Sequence, residues 1–489
     1  MENLVVSTRK KINMETFFTS VKISTESVIS KVLSHSTRIG IAGVESVNGG
    51  ISITGRVFVD LVYLTATGEI EHAEGCQDFI EKQKTEIALT DAFAEDVLKV
   101  ENLDFSGNEV LCSVSHQVGV VGVYAYNIQT VSGDEKEFIL NNKEVEFDKV
   151  VVVASDDFVV AEESEISGTN IKVLQNNVSV ILDDFACVVD KVVLEGKVQL
   201  ESLILNENEI STVKKSIEFK QEISASGVLP NMRVNALIEA KTVNVVPEEK
   251  DGKSKLACTF EIQAKAYVFE KNTYEIVTDM FSLKNEIQTV YNYVEAKEYE
   301  NVKTLSNLLT VQTDIVDIVD FEDIIDVFGA KMSNLTVKKE DGRFFVSGDL
   351  SAHGIYKTVD GYGDMLIENY VDFEIGESEF LVGEASAVCE VLSFKVKAGK
   401  EIETSVKIDY FLLEEREITE KFLSSYEIKD EKNENMSGIR VYVSKGNQSV
   451  FDVAKILNVK PEVIAQENSV DDVFEKGQKI YVYSQANLF

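Results

Sequence analysis

A strand pattern that recurs three times at long range constrains this chain more than any other feature. The first instance is Gly55-Arg-Val-Phe-Val-Asp-Leu-Val-Tyr-Leu. The second is Gly196-Lys-Val-Gln-Leu-Glu-Ser-Leu-Ile-Leu, and the third is Gly348-Asp-Leu-Ser-Ala-His-Gly-Ile-Tyr. The glycines lie 141 and 152 residues apart, and a phenylalanine follows them at offsets of 24, 23 and 25 (Phe79, Phe219, Phe373). Each instance is trailed by a further alternating stretch, at Val110-Leu-Cys-Ser-Val, Leu256-Ala-Cys-Thr-Phe and Ile402-Glu-Thr-Ser-Val. Alternation of period two buries one face of an antiparallel sheet and wets the other. The repeat is far too long for a solenoid, so it implies tandem domains of ordinary size.

The expected fold is therefore mainly β: three tandem antiparallel β-rich domains at 1–150, 151–295 and 296–425. A polar linker is expected at 426–438, and a small α+β module at 439–485. Helical spacing is rarer, and the best cases outside the module are 14–33 and 318–329.

Charge separates the module from the rest. The chain has 489 residues and carries 84 acidic against 48 basic side chains, a formal charge of −36. Such a surface repels phosphate backbones and anionic lipid, which argues against nucleic-acid binding and charge-driven membrane docking. From Ile439 onward acidic and basic residues balance, so the excess sits before the module. The five cysteines (Cys76, Cys112, Cys187, Cys258, Cys389) form no CxxC, which points to reduced thiols rather than a zinc knuckle. The N-terminus shows no apolar export segment, and no apolar run reaches 18 residues, so a cytoplasmic location is expected.

The module reads as strand, turn, helix, turn, helix, loop, strand. Gly446 permits the first turn, and Ser449 is placed to cap a helix whose apolar face is Val450, Val453, Ala454 and Leu457. Pro461 opens the second helix, where its missing N–H costs nothing. Asn468 follows that helix, and Gly477-Gln-Lys-Ile turns into the last strand. The unit resembles a LysM module. That resemblance implies a shallow groove for N-acetylglucosamine-containing glycans such as peptidoglycan. One lip would be Gly446, Asn447, Gln448, Ser449 and Val450, and the other Asn468, Ser469, Val470 and Asp471. The usual Gly-Asp-Thr/Ser-Leu opening of the family is Gly446-Asn447-Gln448-Ser449 here.

The tandem β domains resemble the SPOCS domain, also called DUF3794. Tyr63, Tyr356, Phe79, Phe219 and Phe373 carry the match, while the second copy has Ile204 where a tyrosine is expected. SPOCS-like copies followed by one LysM resemble the layout of spore-coat morphogenetic proteins of endospore formers. Such proteins are mother-cell adaptors at the forespore surface. The resemblance implies binding of a SpoIVA-like coat ATPase through LysM and of other coat proteins through the β domains. A protein contact tolerates the altered sugar lip.

Catalytic sets are missing. None of His35, His72, His116 and His353 has a histidine partner at i+2 or i+4. His72, with Glu71, Glu74 and Cys76, has the composition of a metal site but reads first as a polar hairpin. Cys112 and Cys258 occupy equivalent strand positions and read as small core residues. No P-loop, GxSxG or calcium loop occurs. The expectation is a non-enzymatic scaffold without cofactor or metal, with a peptidoglycan-binding wall protein as the alternative.

Overall fold

A computed structural model of the chain describes residues 2–47, 49–130, 138–207, 209–250, 253–314, 321–341, 343–359, 361–377, 381–397, 401–432, 438–469 and 473–484. Among these, the strands fall into three sets with one topology. In the first copy, β1 (Glu2–Asn13) and β2 (Phe17–Ser24) both pair with β7 (Glu109–Thr130), which also pairs with β6 (Thr90–Ser106). The meander β3 (Ile29–Val47), β4 (Gly50–Thr65) and β5 (Ile70–Lys84) forms the opposing sheet. In the second copy, β8 (Phe138–Ile166), β13 (Lys253–Ser282) and β12 (Arg233–Lys250) face β9 (Lys172–Val188), β10 (Lys191–Asn206) and β11 (Glu209–Ser224). In the third, β14 (Asn285–Asp314), β19 (Glu401–Glu431) and β18 (Leu381–Lys397) face β15 (Phe321–Glu340), β16 (Arg343–Thr358) and β17 (Gly361–Glu377). Every pairing is antiparallel.

The glycine-led strands are the centres of the meanders. Gly55 lies opposite Phe79, and Gly196 opposite Phe219. A Cβ on Gly55 would sit 2.7 Å from the Phe79 ring, and one on Gly196 2.8 Å from the Phe219 ring. The aromatic ring covers the bare glycine, so this spacing in the sequence is one cross-strand contact. The third copy departs: Gly348 faces Val371, Met332 fills the space above it, and Phe373 packs edge-on against Tyr410. Each core lies between the two sheets of a copy. Val21, Cys112 and Val114 meet Ile51, Val57 and Val59 in the first, as Val406 and Ile408 meet Val346 and Leu350 in the third. Cys112 and Cys258 are buried there, and burial pushes both thiols up to about 11.

Two expected helices are strands. Over 14–33, Phe17–Ser24 alternates buried Thr19, Val21 and Ile23 with exposed neighbours, and β3 begins at Ile29. Its Thr, Val and Ile are stiff at χ1 and suit a pleated surface. Of 318–329, residues 318–320 lie outside the described residues and the rest belongs to β15. At the expected linker, 426–431 continue β19: Tyr426 pairs with Thr289 and its ring packs edge-on against Phe138 at 5.0 Å. Residues 433–437 lie outside the described residues.

The copies pack on one another around a common junction. Val62, Leu203 and Ile355 are fully or nearly fully buried in one cluster, and they are spaced by the same 141 and 152 residues as the glycines. Val6, Phe147 and Ala296 likewise share a second cluster. Equivalent positions therefore converge, as around a pseudo-threefold axis. The first and second copies, and the second and third, follow each other in the chain. The seam between first and third closes the ring through side chains and backbone contacts. There buried Arg9 pairs with Glu384, with Nη2 2.7 Å from Oε2, and the Tyr299 hydroxyl donates to the Arg9 carbonyl at 2.8 Å.

Candidate functional site

The C-terminal module is built as the sequence indicates. β20 (Gly438–Val443) pairs with β23 (Lys479–Ser484), and α1 (Val450–Leu457) and α2 (Pro461–Asn468) pack on one face of that ribbon. Ser449 caps α1: its hydroxyl accepts from the Asp452 N–H at 3.1 Å, while the Asp452 carboxylate accepts from the Ser449 N–H at 2.9 Å. This reciprocal cap satisfies two backbone donors at the helix start. Arg440 reaches across to donate to the Leu457 carbonyl at the far end of α1, where a cation opposes the helix dipole.

Two short strands, β21 (Gln448–Ser449) and β22 (Val473–Phe474), pair and draw the expected lips toward each other. Gly446 and Asn447 turn with positive φ, and a Cβ on Gly446 would meet Lys476 at 3.1 Å. Most polar lip side chains bond within the module. The Gln448 amide oxygen accepts from the Lys445 N–H at 2.8 Å and the Tyr442 hydroxyl at 3.1 Å. Ser449 is the helix cap. Asn468 donates to the Tyr481 carbonyl at 2.9 Å and accepts from the Tyr481 N–H at 2.7 Å, which ties the end of α2 to β23. Asn447 and Ser469 face solvent, Val450 is half-buried, and Val470 and Asp471 lie outside the described residues.

The sequence reading missed the other face of the ribbon. Ile439, Val441 and Val443 on β20 are 65%, 53% and 52% exposed, and Tyr481 and Tyr483 on β23 are 41% and 57% exposed. Ile439 lies opposite Tyr483, and Val441 opposite Tyr481, so these side chains form one continuous apolar strip. The signal was present: Ile480-Tyr-Val-Tyr carries apolar or aromatic residues on both faces, and Ile439, Val441 and Val443 share the face opposite Arg440 and Tyr442, although helices cover only one face. An exposed apolar strip of this kind is a candidate interaction surface.

The module is seated on the body. Phe451 packs edge-on against Phe281 at 5.3 Å, and the Lys455 ammonium lies 2.6 Å from Asp279. Asn458 donates to the Leu283 carbonyl at 2.9 Å and accepts from Lys432 at 2.7 Å. Burial, with Lys455 nearby, lowers the Lys432 ammonium below the ordinary lysine value. The contacts come from α1 and its C-cap and leave the apolar strip exposed.

Other sequence candidates fall elsewhere. β5 puts His72, Glu74 and Cys76 on one exposed face, whereas Glu71 accepts from the Tyr63 hydroxyl at 2.7 Å and from Ser27 at 3.1 Å. His116 is buried in the first copy between the rings of Phe17 and Phe79.

Among protein families, the model described as the SPOCS domain of SipL matches residues 166–247. The matched segment spans β9, β10 and β11 and most of β12, and so includes the glycine-led strand of the second copy. The match links the chain to sporulation proteins. No curated protein and no solved structure matches the chain.

Proposed function

We propose that this chain, which carries a SPOCS domain, is a non-catalytic adaptor of endospore coat assembly. In this reading the β body is a scaffold at the forespore surface. The C-terminal module, LysM-like in its order of elements, holds a protein partner such as a SpoIVA-like coat ATPase. The observation that carries the proposal is the apolar strip Ile439, Val441, Val443, Tyr481 and Tyr483. A ribbon of aliphatic and tyrosine side chains suits a protein surface, where aromatic residues dominate binding energy. Glycan recognition draws on polar groups aimed outward, and Gln448, Ser449 and Asn468 are engaged within the module.

Pull-down of the full chain with a SpoIVA-like ATPase and, separately, with insoluble peptidoglycan tests this. Val441→Glu and Tyr481→Glu should each weaken ATPase retention at least tenfold, while Asn447→Ala leaves it within twofold. Retention by peptidoglycan alone, lost on Asn447→Ala, would instead support the wall-binding alternative.

A further inference from the structure

The three central strands carry an ionisable residue five places after each glycine: Asp60, Glu201 and His353. Each is associated with a seam between copies. At the first seam Arg38 interacts with Asp60 and with Glu239 of the second copy, and it donates to the Lys241 carbonyl at 2.9 Å. At the second, Glu201 pairs with Lys214 at 3.1 Å and accepts from the Gly329 N–H of the third copy at 2.6 Å. Both seams set an acid against a base. The third is different. His353 meets His35 of the first copy edge to face at 5.6 Å, with Phe328 stacked obliquely at 6.1 Å. Lys331 of β15 acts on both rings, and His35 also acts on His353. A cavity of about 770 Å³ opens beside them and is lined by both histidines, Lys331, Asn102 and, from β16 and β17, Asp349 and Glu368.

We infer that the seam between the first and third copies is an acid-sensitive latch: protonation of His35 and His353 opens the ring at the β3–β16 contact. The pair is held neutral when closed, because charging either ring would put like charges against Lys331 in a partly dry seam. Burial lowers both histidines below their ordinary value, His353 to about 4. The sign follows. A depressed histidine stabilises the closed form above about 6.5, and that stability is lost as pH falls from there toward 4. If the open form titrates at the ordinary value, His353 alone raises the opening equilibrium about 30-fold between pH 7.5 and 5.0. Arg9 and Glu384 close another part of the seam, and Arg9 keeps the Glu384 carboxyl below its usual range, so that pair remains charged over this interval.

The test is a distance measurement on the full chain. Asn102→Cys on β6 of the first copy and Asn369→Cys on β17 of the third, both lining the cavity, are spin-labelled in a Cys76→Ser, Cys389→Ser background, and the distance distribution is followed from pH 7.5 to 5.0. A longer-distance population should grow on acidification, and His353→Gln and His35→Gln should each suppress it. Circular dichroism at both pH values establishes that each variant is folded. His35→Gln, at a half-buried position, serves if the His353 variant is not. A distance that stays constant across the range overturns the latch, and so does an acid response that persists in the folded variants.

Discussion

The glycine–phenylalanine pairs show how a single missing side chain organises a sheet. Gly55 and Gly196 are bare because the ring of the opposing phenylalanine lies where a Cβ would go, and the Gly40 and Ile181 carbonyls also press on those positions. Overfilling such a site costs about 1–3 kcal/mol. Gly196→Ala should therefore lower the melting temperature by several degrees, read by calorimetry, and more than Gly227→Ala, where no atom lies within 4 Å of the added carbon and only the φ of +86° opposes it. The sequence revealed the spacing but not the contact, since a fixed offset becomes a pair only once the hairpin register is known. The third copy illustrates this: an offset of 25 places Phe373 two residues past Val371, the partner of Gly348.

At the scale of elements, most strands with one wet face were legible. Val198, Leu200 and their neighbours alternate cleanly in β10, as read. The reading failed at 14–33, where β2, a turn and the start of β3 mimic helical spacing across their junction. Helix α1 was legible because its cap and apolar face are local: Val453, Ala454 and Leu457 are buried as read, while Phe451 is buried where Val450 was expected and Val450 is only half-buried. Its seat on the body was not legible, because Phe281 lies 170 residues from Phe451. Truncating a buried phenylalanine costs about 3–5 kcal/mol. Phe281→Ala should therefore release the module, seen as faster amide exchange in α1 and at Lys432, while exchange in β4 and β10 is unchanged. Equal loss of protection throughout the chain would mean that Phe281 serves the body instead.

For the whole molecule, repeat positions that looked like separate beads prove to be the surfaces that join them. Val62, Leu203 and Ile355 meet because each occupies the same place in its copy, and each is apolar on a face that a lone sandwich would leave wet. Residues of that kind were visible in the sequence as near-continuous apolar stretches such as Leu203-Ile-Leu, but alternation alone does not say that a neighbouring copy covers them. A scaffold that presents its module in one orientation needs this union, since freely jointed copies would not fix where the apolar strip points. The most direct test is Leu203→Ala in the full chain, read by segment-resolved hydrogen exchange. A shared junction predicts weaker protection in β4 and β16 as well as in β10. Loss confined to β8–β13 would contradict it and leave three independent domains.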